Sequence, residues 1–505
     1  MTRSQKLFLN SIVGVFSQMI SIVCGLILPA AILAAYGSSA NGLTNSIGQF
    51  LGFIQLCELG VGAVVQSALY KPLADGDTYR VSCILKSSKK FFRIIGTILL
   101  VYVVLLCVIY PRMITEYDFI FVCLMIIAIS VNSFANYYLG MNNSLLLQAD
   151  QKAYIPLGSQ AIAVILNTVV CLLLIRFGAT LLVVKMSTAV IYLIRPIVMW
   201  VYVKKNYSID YSVNYDEEPI KQKWNGLAQH FASVIVDHTD TVVLTIFTTL
   251  TDVSIYAVYY MVVSSMRAMI NSSLSGVQAA MGNMISRGEL DTLKVFFNKI
   301  EWVLHTIVVL LYSVAGVLIV PFVLIYTKNV KDANYNVPFF AALIVIANAG
   351  FCLQSIYKLI VKAAGHYRET QLASVIEAVI NVISSVILVS KYGLIGVAIG
   401  TILAMLYRLI YHIWYIKKNI IYRSYSLACK QFLVDIVTVS VIVAITCLIP
   451  VSRVGFLQWT LSAIIITVIS AIVSLFVNYI FYRKYVIVLV RTITKKIKKI
   501  LNVYL

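Results

Sequence analysis

An arginine inside a long apolar segment is the residue of this sequence that most needs a chemical explanation. Arg267 lies in the stretch SSMRAMINSSLSGVQ, within an apolar run from about Val253 to Asn283. A charged side chain at the centre of a membrane helix costs about 2.5–3.5 kcal/mol on insertion scales. A partner carboxylate, a water-filled cavity or an anionic ligand can offset that cost, so Arg267 is a candidate binding residue.

Polar side chains accompany Arg267 at helical spacing. Steps of three or four residues place side chains on one face of a helix. The stripe that contains Arg267 comprises Tyr260, Ser264, Arg267, Asn271, Ser275 and Gln278. Three other apolar segments carry similar stripes. The first stripe includes Gln18, and the second includes Asn45, Gln49 and Glu58. The third includes His230, Asp237, Thr241 and Thr245, with His238 and Asp240 beside them.

These stripes have two interpretations. Amide, hydroxyl and phenol groups can hydrogen-bond a polar ligand, and a guanidinium suits a phosphate. Alternatively, small and polar residues simply form hydrogen bonds between neighbouring membrane helices. The second interpretation accounts for most serines and asparagines, but less well for acids, histidines and an arginine at membrane mid-depth.

The composition defines the environment of these residues. Hydrophobic residues make up 61% of the 505 residues, and the mean hydropathy is +0.91. Because soluble domains are about 45–50% apolar, the sequence predicts a polytopic membrane protein. The net charge of +20 is attributed to basic loops on the anionic cytoplasmic face, and no nucleic-acid partner is expected. The nine cysteines include no CxxC pair and predict neither disulfides nor a metal site.

Fourteen apolar segments are long enough to cross a bilayer, since a crossing needs about 20 residues. They are 8–35, 42–69, 91–110, 117–140, 153–176, 179–203, 226–250, 253–283, 300–327, 337–362, 370–390, 393–416, 429–450 and 457–482. With the N-terminus in the cytoplasm, 29 of the 40 Lys and Arg residues fall in inner loops or the tail. That asymmetry follows the positive-inside rule and predicts that both termini are cytoplasmic.

Segments 5–6 and 11–12 are similar at an offset of 215 residues, and the turns RFG and KYG align Gly178 with Gly393. We therefore predict an all-α polytopic membrane protein with two parallel six-helix repeats around a central cavity. The expected divisions are a six-helix lobe (1–205), a cytoplasmic linker (206–225), a second lobe (226–418), helices 13–14 (419–482) and a basic amphipathic tail (483–505). The four polar stripes lie on segments 1, 2, 7 and 8, which are equivalent positions in the two halves.

Four more ionisable residues are secondary candidates for the cavity. They are Lys185, Arg195, Arg408 and Glu377. The two arginines either line the cavity wall or reach lipid headgroups, and Glu377 is either neutral or paired with a base such as Lys185 or Arg195. Glu301 and His305 are expected at the membrane interface. No GxSxG, P-loop or HExxH motif occurs, so no enzyme activity is expected.

Several stretches resemble a known family. They are YGSSANGLTNSIGQFLGFIQLCELGVGAVVQSALYKPLADGD (36–77), DHTDTVVL (237–244), GVQAAMGNMIS (276–286) and SKYGLIGVAIGTILAMLYRLIYHIWY (390–415). Together with the predicted architecture, they resemble the multidrug/oligosaccharidyl-lipid/polysaccharide exporter superfamily, and within it the Wzx-type flippases for lipid-linked oligosaccharides. Lipid II flippases of the same superfamily typically carry several arginines on helices 1 and 2, whereas segments 1 and 2 here carry none within the membrane.

The resemblance implies a function. The protein would move an undecaprenyl-diphosphate-linked oligosaccharide from the cytoplasmic to the outer leaflet of a bacterial cell membrane by alternating access, for a capsule- or O-antigen-like polysaccharide. It would act as a monomer among membrane lipids, beside a polysaccharide polymerase, without a cofactor. Proton, sodium or membrane-potential coupling would drive it.

The residues receive roles on the same basis. Arg267 would hold the diphosphate, and Glu58 or Asp237 would neutralise it in the empty state. Glu58, Asp237, His238 and Asp240 would bind a coupling ion. A lipid II or wall-polymer precursor flippase and a drug/cation antiporter stay open as alternatives, and a scaffold or membrane glycosyltransferase fits less well.

Overall fold

A computed structural model of the protein describes residues 3–58, 60–215, 218–219, 227–451 and 455–504. Part of the predicted linker, 216–217 and 220–225, falls outside these residues, as do the side chains of Ser275 and of 489–490 and 492–505 in the predicted tail. Over the described residues the chain is helical and contains no strand. The prediction of an all-α protein is therefore confirmed.

The α-helices of the described residues are α1 (Arg3–Gly52), α2 (Val61–Asp75), α3 (Thr78–Ile109), α4 (Phe119–Ala135), α5 (Met141–Ala149), α6 (Tyr154–Arg176), α7 (Leu181–Tyr192), α8 (Ile194–Asn206), α9 (Leu227–Phe247), α10 (Leu250–Ser273), α11 (Ser275–Ser286), α12 (Leu290–Tyr326), α13 (Pro338–Ala363), α14 (Gln371–Tyr392), α15 (Leu394–Asn419), α16 (Tyr425–Thr446) and α17 (Phe456–Tyr504). A π-helical turn, Asn136–Gly140, connects α4 to α5.

The predicted number of crossings is confirmed, and the protein is a multi-pass membrane protein. Within the described residues, 12 helical stretches are long and apolar enough to span a membrane. The first of them, Leu9–Glu58, contains two of the predicted segments, which a kink at Gly37 separates. Helix α9 supplies the remaining predicted segment.

The kink at Gly37 is fixed by a carboxylate. Gly37 has φ 85° and ψ 179°, and glycine adopts such a conformation without steric penalty. The Asp332 carboxylate accepts hydrogen bonds from the Ser38 backbone N–H at 2.6 Å and from the Ser38 hydroxyl at 2.7 Å. The N–H groups that begin a helix have no partner within it, so Asp332 acts as a distant N-cap for the second half of α1.

Three predicted segments are interrupted where local chemistry disfavours a continuous helix. Predicted segment 2 passes through a 3₁₀ turn, Phe53–Glu58, and Gly60 with φ 68° before α2 begins. Segment 6 is broken at Leu193, just before Pro196, because proline lacks an N–H and restricts the residue before it. Segment 8 is broken at Leu274, between α10 and α11.

The chain consists of two compact units. The first contains Met1–Ile255 and Asn329–Ala333, and the second contains Tyr256–Lys328 and Asn334–Leu505. In the first unit, fully buried Leu43, Ile47 and Phe92 belong to the core formed by α1 and α3. In the second unit, Phe297, Phe340 and Tyr357 are among the largest fully buried side chains.

The repeated turns of the two halves each contain a glycine with positive φ. Gly178 after α6 has φ 73°, and Gly393 after α14 has φ 52° and ψ −127°. Glycine adopts positive φ without steric penalty, so the RFG and KYG motifs each stop a helix at an equivalent place. The helix after the second turn, α15, is continuous because it has no counterpart of Pro196.

Helix α12 begins earlier than predicted and buries two ionisable residues. It starts at Leu290, so Glu301 and His305 lie three to four turns inside it instead of at its start. Glu301 forms an ion pair with Arg423 and accepts a hydrogen bond from the Tyr357 hydroxyl. His305 contacts Asp435 at 2.5 Å. Both residues are therefore buried among partners of the second unit, which offset the cost of charge at these sites, and their expected position at the membrane interface stays a prediction.

Candidate functional site

The residues predicted for the central cavity are distributed over both units. The first unit contains Gln18, Asn45, Gln49, Glu58, Lys185, Arg195, Asp237, His238 and Asp240. The second contains Tyr260, Ser264, Arg267, Asn271, Gln278, Glu377 and Arg408. Each set is described below within its own unit.

Arg267 is half-buried on α10 and packs against an aromatic ring. Its guanidinium carbon lies 4.8 Å from the ring centroid of Phe351 on α13. A guanidinium over an aromatic face gains electrostatic stabilisation from the ring quadrupole while its N–H groups in the plane can still donate hydrogen bonds. The contact with Phe351 is one of the interactions that hold the guanidinium in place.

The other residues of this stripe differ in exposure. Tyr260 stacks on Tyr256 with centroids 5.5 Å apart, and the Ser264 hydroxyl donates to the Met261 carbonyl at 3.3 Å. Asn271 is exposed. Gln278 is half-buried on α11, beyond the break at Leu274. The predicted face is thus continuous only from Tyr260 to Asn271.

In the first unit, α1 and the 3₁₀ turn after it meet α9 and the start of α10 along a line of polar contacts. We call this the α1–α9 seam, and it pairs Asn41 with Ser254, Ser46 with Thr245, Gln49 with His238 and Gln55 with His230. The contact distances are 2.8, 2.7, 2.5 and 2.8 Å in that order. The structure therefore brings together Gln49 and His238, which the sequence identified on separate stripes.

Two glycines let the helices of the seam approach closely. A Cβ atom on Gly42 would lie 2.7 Å from the Leu250 carbonyl carbon, and one on Gly52 would lie 2.7 Å from both ring nitrogens of His238. Real Cβ atoms do not make contacts under 3.0 Å. Small residues at such positions are the usual means of close helix packing in membranes, where hydrophobic attraction between helices is absent.

The acidic candidates of the first unit have distinct surroundings. Glu58 lies in the 3₁₀ turn and accepts a hydrogen bond from the Tyr137 hydroxyl at 2.5 Å. Asp237 is exposed on α9, whereas Asp240, one turn later, is only 9% exposed. Asn45 donates to the Asn41 carbonyl at 2.9 Å, and Gln18 is exposed on the first half of α1.

The four ionisable residues that were secondary candidates for the cavity differ in their burial and in their partners. Lys185 and Arg195 are half-buried, and among the described residues the Arg195 Nε has no hydrogen-bond partner. Arg408 is buried, and its Nε lies 3.7 Å from the Glu377 carboxylate. Glu377 thus has a partner on α15, the arginine that follows it in the helical hairpin, which the sequence interpretation did not identify.

A charged cluster ties the start of α1 to the end of α5. Asp150 contacts Lys152 Nζ at 2.7 Å, the Tyr207 hydroxyl at 2.5 Å and Lys6 Nζ at 3.3 Å. Burial alone would raise the pKa of Asp150, but the hydrogen bonds from Lys152 and Tyr207 and the nearby positive charges bring it below the ordinary value of 3.8. The cluster is an anchor at a helix end.

Among the described residues, no group of three His, Cys, Asp or Glu side chains could hold a metal ion. Sequence reasoning missed Phe351, Tyr137 and Asp332. No local pattern indicates them, because each is distant in sequence from the residue it contacts.

No protein-family model matches the sequence, and no match was found among curated proteins. Solved structures do match. The lipid II flippase MurJ in an inward closed conformation has a TM-score of 0.71 at 15% identity, over 94% of this chain and 99% of that chain. An inward-facing multidrug resistance transporter of the MATE family, from the MOP superfamily, has a TM-score of 0.64 at 14% identity, over 81% and 98%.

A MATE protein in a bent conformation has a TM-score of 0.53 at 14% identity, over 85% of this chain and 99% of that chain. Identity at this level shows the fold alone. The match to MurJ covers almost the whole length of both chains. The protein therefore has the fold of MurJ and the MATE transporters, the fold of the MOP superfamily.

Proposed function

We propose that the protein is a flippase that moves undecaprenyl-diphosphate-linked oligosaccharide repeat units from the cytoplasmic to the outer leaflet of a bacterial cell membrane. It would serve the biosynthesis of a cell-surface polysaccharide of the capsule or O-antigen kind. The observation that carries the proposal is Arg267, a half-buried cation on a membrane helix that packs on Phe351 and follows Tyr260 and Ser264 on one helix face.

The physical problem of such a substrate is its headgroup. A sugar that enters hydrocarbon loses its hydrogen bonds to water, at about 2–7 kcal/mol for each unpaired polar group. In this proposal Asn45, Gln49, Gln18, Asn271 and Gln278 replace water as hydrogen-bond partners. Tyrosine adds a ring face on which a sugar can stack.

The diphosphate needs a cation, and the substrate's prenyl chain needs lipid. Guanidinium–phosphate bonds are charge-assisted and can form in pairs. Arg267 would provide them, and alternating access would then transfer the headgroup while the chain stays in hydrocarbon.

Coupling is assigned to the ionisable residues of the first unit. Glu58, Asp237, His238 and Asp240 would bind a proton or sodium ion, or their charges would respond to the membrane potential, which is worth about 2.3 kcal/mol per charge per 100 mV. The contact of the His238 ring with Gln49 inside the α1–α9 seam supports such a role. A change in its protonation would alter that contact.

A lipid II or wall-polymer precursor is the second candidate substrate. It is favoured by the MurJ likeness over 94% of the chain. Against it, the only arginine of α1 and α2 is Arg3, at the start of α1. A drug/cation antiporter fits less well, because a central arginine repels a cationic substrate.

Substitution of Arg267 tests the proposal. Cells that depend on this protein for a surface polysaccharide would carry Arg267→Ala, Arg267→Lys or the control Arg176→Ala, which removes an exposed arginine at the end of α6. We expect polymer export to fall at least about tenfold in Arg267→Ala, to recover in part in Arg267→Lys and to stay normal in the control. Normal export by Arg267→Ala, at equal protein level, would refute the diphosphate role.

A further inference from the structure

A cavity of about 840 Å³ lies in the first unit, away from the polar stripes considered above. It is bounded by α3, the π-helical turn, α5, α8 and the segment that follows α8. Its lining combines the cations Lys89, Arg93 and Lys204 with aromatic residues. A second cavity of about 580 Å³ shares Lys89 and Arg93 with it.

Each of the three cations of this cavity lies over an aromatic ring. Lys89 Nζ lies 4.0 Å from the ring centroid of Tyr211, the Arg93 guanidinium carbon lies 5.2 Å from that of Tyr138, and Lys204 Nζ lies 5.2 Å from that of Trp200. None of the three cations forms an ion pair with a carboxylate of a described residue. Aromatic faces position the three cations without neutralising their charge.

Among the described residues of the lining, the one carboxylate already accepts hydrogen bonds from a neighbouring serine. Asp210 accepts hydrogen bonds from the Ser212 backbone N–H at 2.8 Å and the Ser212 hydroxyl at 2.6 Å. Asn142, at the back of the cavity, reaches Tyr211 with its amide nitrogen at 3.4 Å, and its buried amide oxygen has no partner among the described residues. The cavity therefore offers positive charge and ring faces to a ligand.

The position of the cavity points to a lipid. On α3, exposed Ile94 and Ile98 follow Arg93, and on α8, exposed Ile197 and Val201 precede Lys204. On both helices the surface is apolar and exposed on one side of the cation, and the cation lies toward the helix end that the charge distribution predicts to be cytoplasmic. A lipid at that interface can place its chains along the apolar surface and its phosphate among the cations.

We propose that this cavity binds the phosphate-bearing headgroup of an anionic lipid of the inner leaflet. A phospholipid phosphodiester and a polyprenyl diphosphate share the required chemistry: negative charge beside a polar group, attached to long apolar chains. The proposal does not depend on the function proposed above, because it requires neither a sugar chain nor transport.

The test is native mass spectrometry of the full-length protein in detergent, titrated with phosphatidylglycerol, phosphatidylcholine or undecaprenyl diphosphate. The test variant is Lys89→Gln/Arg93→Gln/Lys204→Gln, with Arg93→Gln and Arg93→Lys as milder single changes. Lys418→Gln is the matched control, because Lys418 Nζ also lies 5.2 Å from a tryptophan ring, that of Trp414, at a helix end.

We expect the wild-type protein to bind phosphatidylglycerol in preference to phosphatidylcholine. The triple variant should bind it about tenfold or more weakly, Arg93→Lys should bind it better than Arg93→Gln, and Lys418→Gln should match the wild type. Stronger binding of undecaprenyl diphosphate that is lost in the same variants would identify the carrier lipid as the ligand. Equal binding of the two phospholipids, or unchanged binding by both Arg93→Gln and the triple variant, would overturn the proposal.

Discussion

The substitution Gly42→Ala probes the close contact between α1 and Leu250, the first residue of α10, at the glycine where the structure leaves least space for a side chain. The new Cβ would lie 2.7 Å from the Leu250 carbonyl carbon and 3.2 Å from its Cα, with the carbonyl oxygen closer still. An ordinary contact is 3.4–4 Å. Because the obstructing atoms are backbone, no side-chain rotation relieves the overlap, and the helices must separate.

The expected change in the free energy of unfolding has three contributions, of which one is stabilising and two are destabilising. Alanine in place of glycine stabilises a helix by about 0.5–1 kcal/mol. Overpacking costs about 1–3 kcal/mol, and weakening the neighbouring Asn41–Ser254 and Ser46–Thr245 hydrogen bonds costs about 0.6 kcal/mol each. We therefore expect a net destabilisation of about 1–3 kcal/mol.

Gly48→Ala is the matched control. Gly48 lies on the same helix, and its Cβ would meet nothing within 4 Å. This variant should be neutral or more stable by about 0.5–1 kcal/mol, because only the helix-propensity term acts. The apparent melting temperature of the purified full-length protein distinguishes the two.

A disulfide between α1 and α9 reports whether the substitution separates these two helices. The hydroxyl oxygens of Ser46 and Thr245 are 2.7 Å apart, so Ser46→Cys with Thr245→Cys should form a disulfide readily. The same pair should cross-link normally with Gly48→Ala and slowly with Gly42→Ala. If Gly42→Ala melts and cross-links like Gly48→Ala, the packing of the α1–α9 seam described here is wrong.

Two further predictions concern charged pairs outside the predicted cavity. Arg423→Met should destabilise the protein by about 3–5 kcal/mol, because it leaves the buried Glu301 carboxylate without its ion pair. Adding Glu301→Gln should restore part of the lost stability. Chemical unfolding of each variant measures both effects. Asp150→Asn should destabilise the protein by about 1 kcal/mol at pH 7. Since the folded pKa of Asp150 is lowered from 3.8, its contribution is present above that pH and is lost as the pH falls through the lowered pKa. Wild type and variant should therefore converge once the pH is below the lowered pKa. A difference that persists unchanged at that pH would contradict the assignment.

Hydropathy and charge gave the fold class and the number of crossings, because long apolar segments and asymmetric loops depend only on composition along the chain. Hydropathy and charge did not show where the helices break. Leu274 interrupts a segment that was predicted as one continuous crossing. Helix α12 begins at Leu290 because an amphipathic turn with buried Leu293 and Phe297 extends it. Helix ends depend on packing that a hydropathy window does not register.

The candidate site was only partly predictable for a related reason. Helical spacing correctly put Gln49 and His238 on polar faces, but it could not show that they contact each other across the α1–α9 seam. The partners of Arg267 and Glu58, which are Phe351 and Tyr137, are an aromatic ring and a phenol that no motif marks. Contacts between distant helices require the tertiary structure.

The most direct test of the proposed function is the sidedness of lipid-linked intermediates in cells with and without the protein. Mass spectrometry would identify each species, and a membrane-impermeant probe would report its leaflet. The account predicts that one undecaprenyl-diphosphate oligosaccharide accumulates on the cytoplasmic side when the protein is absent and reaches the outer leaflet when it is present. No change in the amount or sidedness of any such lipid would contradict the flippase proposal.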